Sequence, residues 1–266
     1  MESAIAKAVG LASSPVAILE SDHKPEGAMQ FSEGAFGCVV ALLKSATKGR
    51  TAAFSRKTFG CPGGGVGLGF GNCYVNFPGG IEPFLSTGNP EFCRSEFGMA
   101  VLKSMPDLDE GERYFKTPEI AHDFVESLPM VDIASEYLLF RPLQDVQDDE
   151  LPKVVVMLVN PDQLSALVVL ANYGRNSQDN VITPFAAACQ NIGIIPFREC
   201  SSDRPRAVVG LTDITVRRMF PVDTLSFAMP WSLFLEMESN VEGSFLQKRH
   251  WQELLERNRK QGPAQP

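Results

Sequence analysis

The chain has little histidine: 266 residues hold only His23, His122 and His250. No two of them share a motif. Spacing therefore gives no support to a histidine-based metal site, or to a Ser-His-Asp or Cys-His catalytic arrangement. No pair of cysteines is spaced C-x-x-C, which excludes the zinc-ribbon, thioredoxin and ferredoxin patterns. No apolar run approaches the eighteen or so residues of a membrane-spanning helix, so no membrane partner is expected. The amino terminus has no charged cluster followed by an apolar core, as a secretory signal would, and a cytoplasmic location is expected. Positive charge is also in deficit. Lys and Arg number 24 against 32 Asp and Glu, a formal net charge of −8. Sequence-blind nucleic-acid binding needs a concentrated positive face and is not expected. The one basic-leaning stretch, Lys248, Arg249, Arg257, Arg259 and Lys260, is interrupted by Glu253 and Glu256 and reads as a solvated helix face.

What is present is an ordinary globular composition, 44% hydrophobic and 21% charged, in a chain long enough to bury a core without disulfides. Residues 16–19 read as a strand broken by Lys24-Pro25-Glu26-Gly27. Residues 35–48 carry Phe36, Val39, Val40, Leu42 and Leu43 at helical spacing, with Gly49 as the stop. Residues 51–59 have β character. Residues 77–118 read as loops around one helix near 95–103. Thr117-Pro118-Glu119 then opens a helix whose buried stripe is Ile120, Ala121, Phe124, Val125 and Leu128. Residues 137–141 read as a strand. The clearest unit is the apolar strand Val154–Val159, of the kind covered on both faces, followed by a capped helix over 161–172. A helix over 184–191, a strand over 207–211 and a helical end from Trp231 complete the reading. The expected fold is α/β (or α+β), with two related, intertwined lobes, a mixed sheet and flanking helices. The lobes are residues 1–130 and 131–260, followed by a tail at 261–266, and together they form one compact unit. The two lobes rest on a weak internal similarity: Cys38…Cys61…Gly67-Leu68 against Cys189…Cys200…Gly210-Leu211.

The six cysteines are Cys38, Cys61, Cys73, Cys93, Cys189 and Cys200. In a reducing compartment they are buried small side chains, metal ligands or reactive thiols rather than structural disulfides. Cys61 stands out, because it enters Gly60-Cys61-Pro62-Gly63-Gly64-Gly65-Val66-Gly67-Leu68-Gly69-Phe70-Gly71. A backbone that glycine-dense is not expected to form a regular element of its own. Its exposed N–H groups can cradle an anion or donate to thiolate or sulfide sulfur, and Gly63 and Gly64 are expected at positive φ or against a close neighbour. A nucleotide loop is disfavoured, because the segment lacks both a Lys-Ser/Thr pair and a Rossmann G-x-G-x-x-G register.

The chain resembles the bacterial and archaeal domain of unknown function 169 family over roughly residues 10–237. The resemblance is carried by the 16–19 strand with Lys24-Pro25, by Gly37-Cys38-Val39-Val40, by Gly60-Cys61-Pro62-Gly63 with Gly67-Leu68-Gly69, and by Ala187-Ala188-Cys189, Ile195-Pro196 and Cys200 with Arg204. The family pattern Cys-x-Gly-x-Arg here has Ser202 in place of its glycine. Cys38, Cys61, Cys189 and Cys200 fall on family motif positions, whereas Cys73 and Cys93 do not. From these matched positions the expectation is an iron–sulfur cluster held by those four thiolates, the ligand count of a 4Fe-4S centre. Zinc is disfavoured for want of a close-spaced knuckle. Gly60, Gly63, Gly64 and Arg204 would support the cofactor, the role would be redox or electron transfer, and the partner would be a redox protein. Two alternatives stay open. One is a metal-free module holding a small anion on residues 60–71. The other is a thiol enzyme with Cys61 as nucleophile.

Overall fold

The computed structural model describes residues 1–261. Seven strands run β1 (Val16–Ser21), β2 (Ala52–Ser55), β3 (Tyr137–Pro142), β4 (Val154–Val159), β5 (Val181–Ile182), β6 (Ala207–Gly210) and β7 (Leu225–Pro230). They form one sheet in the order β2-β3-β1-β4-β7-β6-β5. The β5–β6 pair is parallel and the other pairs are antiparallel. The fold is thus α/β with a mixed sheet. Its strands come from both sides of residue 130, and β3 lies between β2 and β1.

The apolar run of β4 places it at the centre of the sheet. It pairs with β1 through Ala17 and Val155, and with β7 along its whole length from Val154–Pro230 to Val159–Leu225. Strand side chains alternate between faces. Val155, Met157 and Val159 therefore join one core with Leu167, Phe234 and Trp251, from the helices Pro161–Asn172, Trp231–Ser239 and Arg249–Gln261. Val154 and Val156 join the opposite core, with Leu43, Leu68 and Ile192. The helix after β4 starts as expected. Asn160 Oδ1 accepts from the Gln163 N–H at 2.9 Å, and Gln163 Oε1 accepts from the Asn160 N–H at 2.9 Å, a reciprocal cap. The expected tail at 261–266 lies outside the described residues beyond Gln261, which ends the last helix. No helix among the described residues is long and apolar enough to cross a membrane.

A third core sits on the second face of the sheet as a cap. It is built from Ile81–Leu85, Pro90–Arg94, Glu96–Ser104 and Pro118–Ser127, and it buries Phe77, Phe84, Phe92, Val101 and Val125. The sequence predicts only the third and fourth of these helices. The first two have five residues each, too short to show a period.

The glycine-rich segment differs from its sequence reading, because Pro62–Leu68 is a helix. Cys61 caps it, Pro62 occupies its first turn, and Gly69 closes it at φ 84°. Glycine costs about 1 kcal/mol against alanine in a helix, and tertiary contact offsets that cost. A Cβ on Gly67 would lie 2.7 Å from the Cys189 carbonyl carbon, and one on Gly193 would lie 1.8 Å from the Gly67 oxygen. Neither Gly63 nor Gly64 has positive φ; Gly60, Gly69 and Gly71 do. Gly64 has the close neighbour expected of it, since its Cβ would meet the Phe59 oxygen at 2.7 Å, whereas Gly63 has room. The expected helix over 184–191 is instead Ala188–Ile192 followed by Ile194–Glu199, parted at Gly193. The proposed internal repeat also fails to align, because Gly67-Leu68 ends a helix whereas Gly210 ends a strand.

Gly193→Ala should therefore destabilise the protein by about 2–4 kcal/mol through overpacking. Gly174→Ala, whose Cβ would meet nothing nearer than 3.5 Å, should stay within about 0.5 kcal/mol of the parent. Urea midpoints of the two variants check this, and equal midpoints would refute the close-approach argument.

Candidate functional site

Glycine contacts also set the cysteines. The Gly37 N–H donates to the Gly60 oxygen at 3.1 Å, and a Cβ on Gly60 would sit 2.4 Å from the Gly37 oxygen. The residues that follow, Cys38 and Cys61, cap the helices Val39–Ala46 and Pro62–Leu68. Cys189 lies in the first turn of Ala188–Ile192, and its thiol donates to the Gly63 oxygen at 3.0 Å. Cys61 Sγ accepts from the Gly64 N–H at 3.2 Å. Cys38, Cys61 and Cys189 line one cavity of about 150 Å³ between the sheet layer and the cap.

The other sequence-predicted site residues are distributed as follows. Gly63 and Gly64 line the cavity with the three cysteines. Gly60 stands behind them, against Gly37. Cys200 is elsewhere: it is exposed at the end of Ile194–Glu199, and its thiol reaches the Lys153 and Pro196 oxygens at 3.4 Å. Arg204 is also elsewhere, donating to Ser177 Oγ at 2.8 Å. The structure thus brings three of the four expected sulfurs to one cavity and leaves the fourth outside. Cys73 and Cys93 lie outside it as well. Cys73 packs behind Gly65, and Cys93 donates to the Asp109 oxygen at 2.9 Å. Among the described residues, no group of three or more His, Cys, Asp or Glu side chains is spaced to hold a single metal ion.

Two carboxyl groups and two phenols share the cavity: Glu112, Asp213, Tyr74 and Tyr114. Asp213 caps the helix Ile214–Arg217 and accepts from the Thr215 N–H at 3.0 Å, from Tyr114 Oη at 3.1 Å and from the Ala188 N–H at 3.3 Å. Glu112 Oε1 accepts from Thr215 Oγ1 at 2.9 Å. Tyr74 Oη accepts from Gln190 Nε2 at 2.9 Å. The sequence offers no signal for this group, because no spacing links 112–114 to 213–215. The cap topology brings them together.

The electrostatics favour protonated groups. Burial pushes the Cys61 thiol up to about 12, and the neighbouring Cys38 adds to it; the Gly63 and Gly64 N–H groups pull the other way. Burial also raises Cys189, with Cys61 and Cys38 as further causes, and raises Cys38, with Asp213 adding. Glu112 is pushed up to about 7, first by burial and then by Asp213. Among the described residues no Lys, Arg or His lines the cavity, so every ionisable group described there would carry negative charge once ionised.

Because its folded value lies above its ordinary 4.5, Glu112 stabilises the native state least when ionised. In metal-free protein that stability is fully present below about pH 4.5 and declines as pH rises through about 7. Glu112→Gln keeps an oxygen for Thr215 and removes the titration. Its stability advantage over the parent should grow across this window by on the order of 3 kcal/mol and stay level above it. Denaturant titrations at several pH values measure this, and a flat difference would refute it.

No curated protein and no solved structure shows a match to the chain. Residues 4–240 match a protein family described as uncharacterised ArCR. That span takes in the whole sheet, the cap and the three cavity cysteines, and the chain belongs to this domain of unknown function 169 family.

Proposed function

We propose that the chain binds an iron–sulfur cluster through Cys38, Cys61 and Cys189, and that it serves a redox or electron-transfer role with a partner redox protein. One observation carries the reading: three thiols from three separate elements line a cavity with no basic side chain among the described residues. Burial raises all three thiols, with neighbouring cysteines adding for Cys61 and Cys189 and Asp213 adding for Cys38. Only a cation there would gain from all three as thiolates. A tetrahedral ion, with metal–sulfur bonds of about 2.3 Å, needs its ligands nearly in contact. A cluster is larger and takes sulfurs set further apart, which suits side chains that cap or open different helices. Backbone N–H groups at 63 and 64 are placed to donate to sulfur, as cluster sites use them. When bound, such a cluster supplies one-electron transfer or a Lewis-acidic iron. The chain's own contribution is to fix three ligands on backbone-packed helices and to screen them from water with the cap. The raised thiol of Cys61 weighs against the nucleophile alternative. The absence of lining cations weighs against an anion held by residues 60–71 alone.

Anaerobic reconstitution with iron and sulfide, assayed for both elements per chain, tests this. The parent should bind both and turn brown. Cys38→Ser, Cys61→Ser and Cys189→Ser should each lose most of the iron, and Cys200→Ser, Cys73→Ser and Cys93→Ser should keep it. Full loading of Cys61→Ser, or no iron in the parent, would overturn the reading. Loss of iron in Cys200→Ser would restore a four-cysteine set.

A further inference from the structure

The cavity extends past the thiols into the cap, and that part has a chemistry of its own. Two groups of aromatic rings line it. Phe77, Phe84, Phe92 and Phe97 stack and tilt on one another with centroids 4.8–6.5 Å apart. Tyr114, Phe115, Phe124 and Phe185 do the same at 4.9–5.8 Å. Tyr114 and Phe115 of the second group stand beside Glu112 in the sequence, and all four share the cavity lining with it. Both oxygens of Asp213 are engaged, Oδ1 by Tyr114 and Thr215 and Oδ2 by Ala188. Glu112 is different. Its Oε1 accepts from Thr215, and its Oε2 accepts nothing from the described residues.

We infer that this cavity binds a small organic ammonium ion, with its alkyl groups against the aromatic rings and its charge against Glu112. Three features choose that class. An aromatic face attracts a cation through its quadrupole, most strongly where water is excluded. A free carboxylate oxygen at the wall supplies a counter-charge, and no lining Lys, Arg or His opposes it. The volume of about 150 Å³ equals that of an apolar cavity known to accept a benzene-sized guest, so the ion is a compact one. A small carboxylate or phosphate would meet two carboxyl groups and no cationic side chain. A neutral hydrocarbon would leave Glu112 Oε2 without a partner. Phe185 is half exposed, at 50%, which puts one ring of the second group at the entrance. The inference uses the cap and Glu112, not the thiols, and is tested on the metal-free protein.

Calorimetry on the metal-free protein near pH 8, with three branched probes of similar size, tests it. The probes are tetramethylammonium, neopentyl alcohol and pivalate. Tetramethylammonium should bind about tenfold or more tighter than the alcohol, the scale of a desolvated cation–aromatic contact, and pivalate should not bind. Glu112→Gln should bring the ammonium down to the level of the alcohol. Phe185→Leu keeps apolar bulk at an exposed position while removing a ring. It should weaken ammonium binding by a larger factor than alcohol binding, and so gives an answer even if Glu112→Gln fails to fold; an equal loss for both would count against the inference. Equal or tighter binding of the alcohol, binding of pivalate, or no binding of any probe would each overturn the inference. A protein that binds tetramethylammonium but takes up no iron would sustain it while refuting the cluster.

Discussion

The contact between the Gly67 carbonyl and the backbone at Gly193 is the constraint on which the site depends. A side chain at either position would drive the helix Pro62–Leu68 away from Ala188–Ile192. These helices have seven and five residues, well below the length at which a helix is stable alone, so each persists because the other and the sheet hold it. The Gly37–Gly60 contact does the same for the start of Val39–Ala46. Backbone rather than side-chain packing thus sets where Cys38, Cys61 and Cys189 begin. Backbone contacts leave few rotamers to relax, and the result is a site with little freedom to spread.

That rigidity has an electrostatic cost. Three thiols and two carboxyl groups lie under an apolar cap, the thiols and Glu112 half-buried and Asp213 buried. The nearest positive charge is the partial charge of amide N–H groups at 63, 64, 40 and 41. Partial charges of that kind lower a thiol's pKa, but here burial outweighs them. A fold that only needed apolar filling would place valine or alanine at these positions without the mutual repulsion of ionised sulfurs. Retaining ionisable groups in such a place suits a protein that receives positive charge there.

The sheet was largely legible in the sequence because its signals are local. The six apolar residues of β4 and the Asn160–Gln163 cap are contiguous in the chain, and the helix after β4 runs Pro161–Asn172 as expected. The burial of Trp251 and Leu255 follows from their helical spacing. The helix at 62–68 was not legible. Glycine propensity argues against it, and the contact that outweighs propensity involves Gly193, more than a hundred residues away. The same distance hid the pairing of Glu112 and Tyr114 with Asp213 and Thr215. The sequence did mark Cys38, Cys61 and Cys189 through the glycine and alanine beside them, since those small residues are what the close approaches require. Cys200, flanked by Glu199 and Ser201, lacked that mark and was singled out by the family resemblance; it lies at the carboxyl end of its helix beside Lys153 and not at the cavity.

The two ends of the cavity are linked by charge. Glu112 raises the thiol of Cys61, as Asp213 raises those of Cys38 and Cys189. A cation seated against Glu112 would neutralise that influence and make thiolates easier to form. Three thiolates on a cluster would in turn favour a cation beside them. Linkage requires the two effects to be equal in free energy, so a cation that eases ionisation at one end of the cavity also eases it at the other. The apolar walls increase the coupling, because a lower dielectric strengthens every interaction across the cavity. The cap therefore shields the thiols from water and also sets how strongly whatever occupies one end is felt at the other.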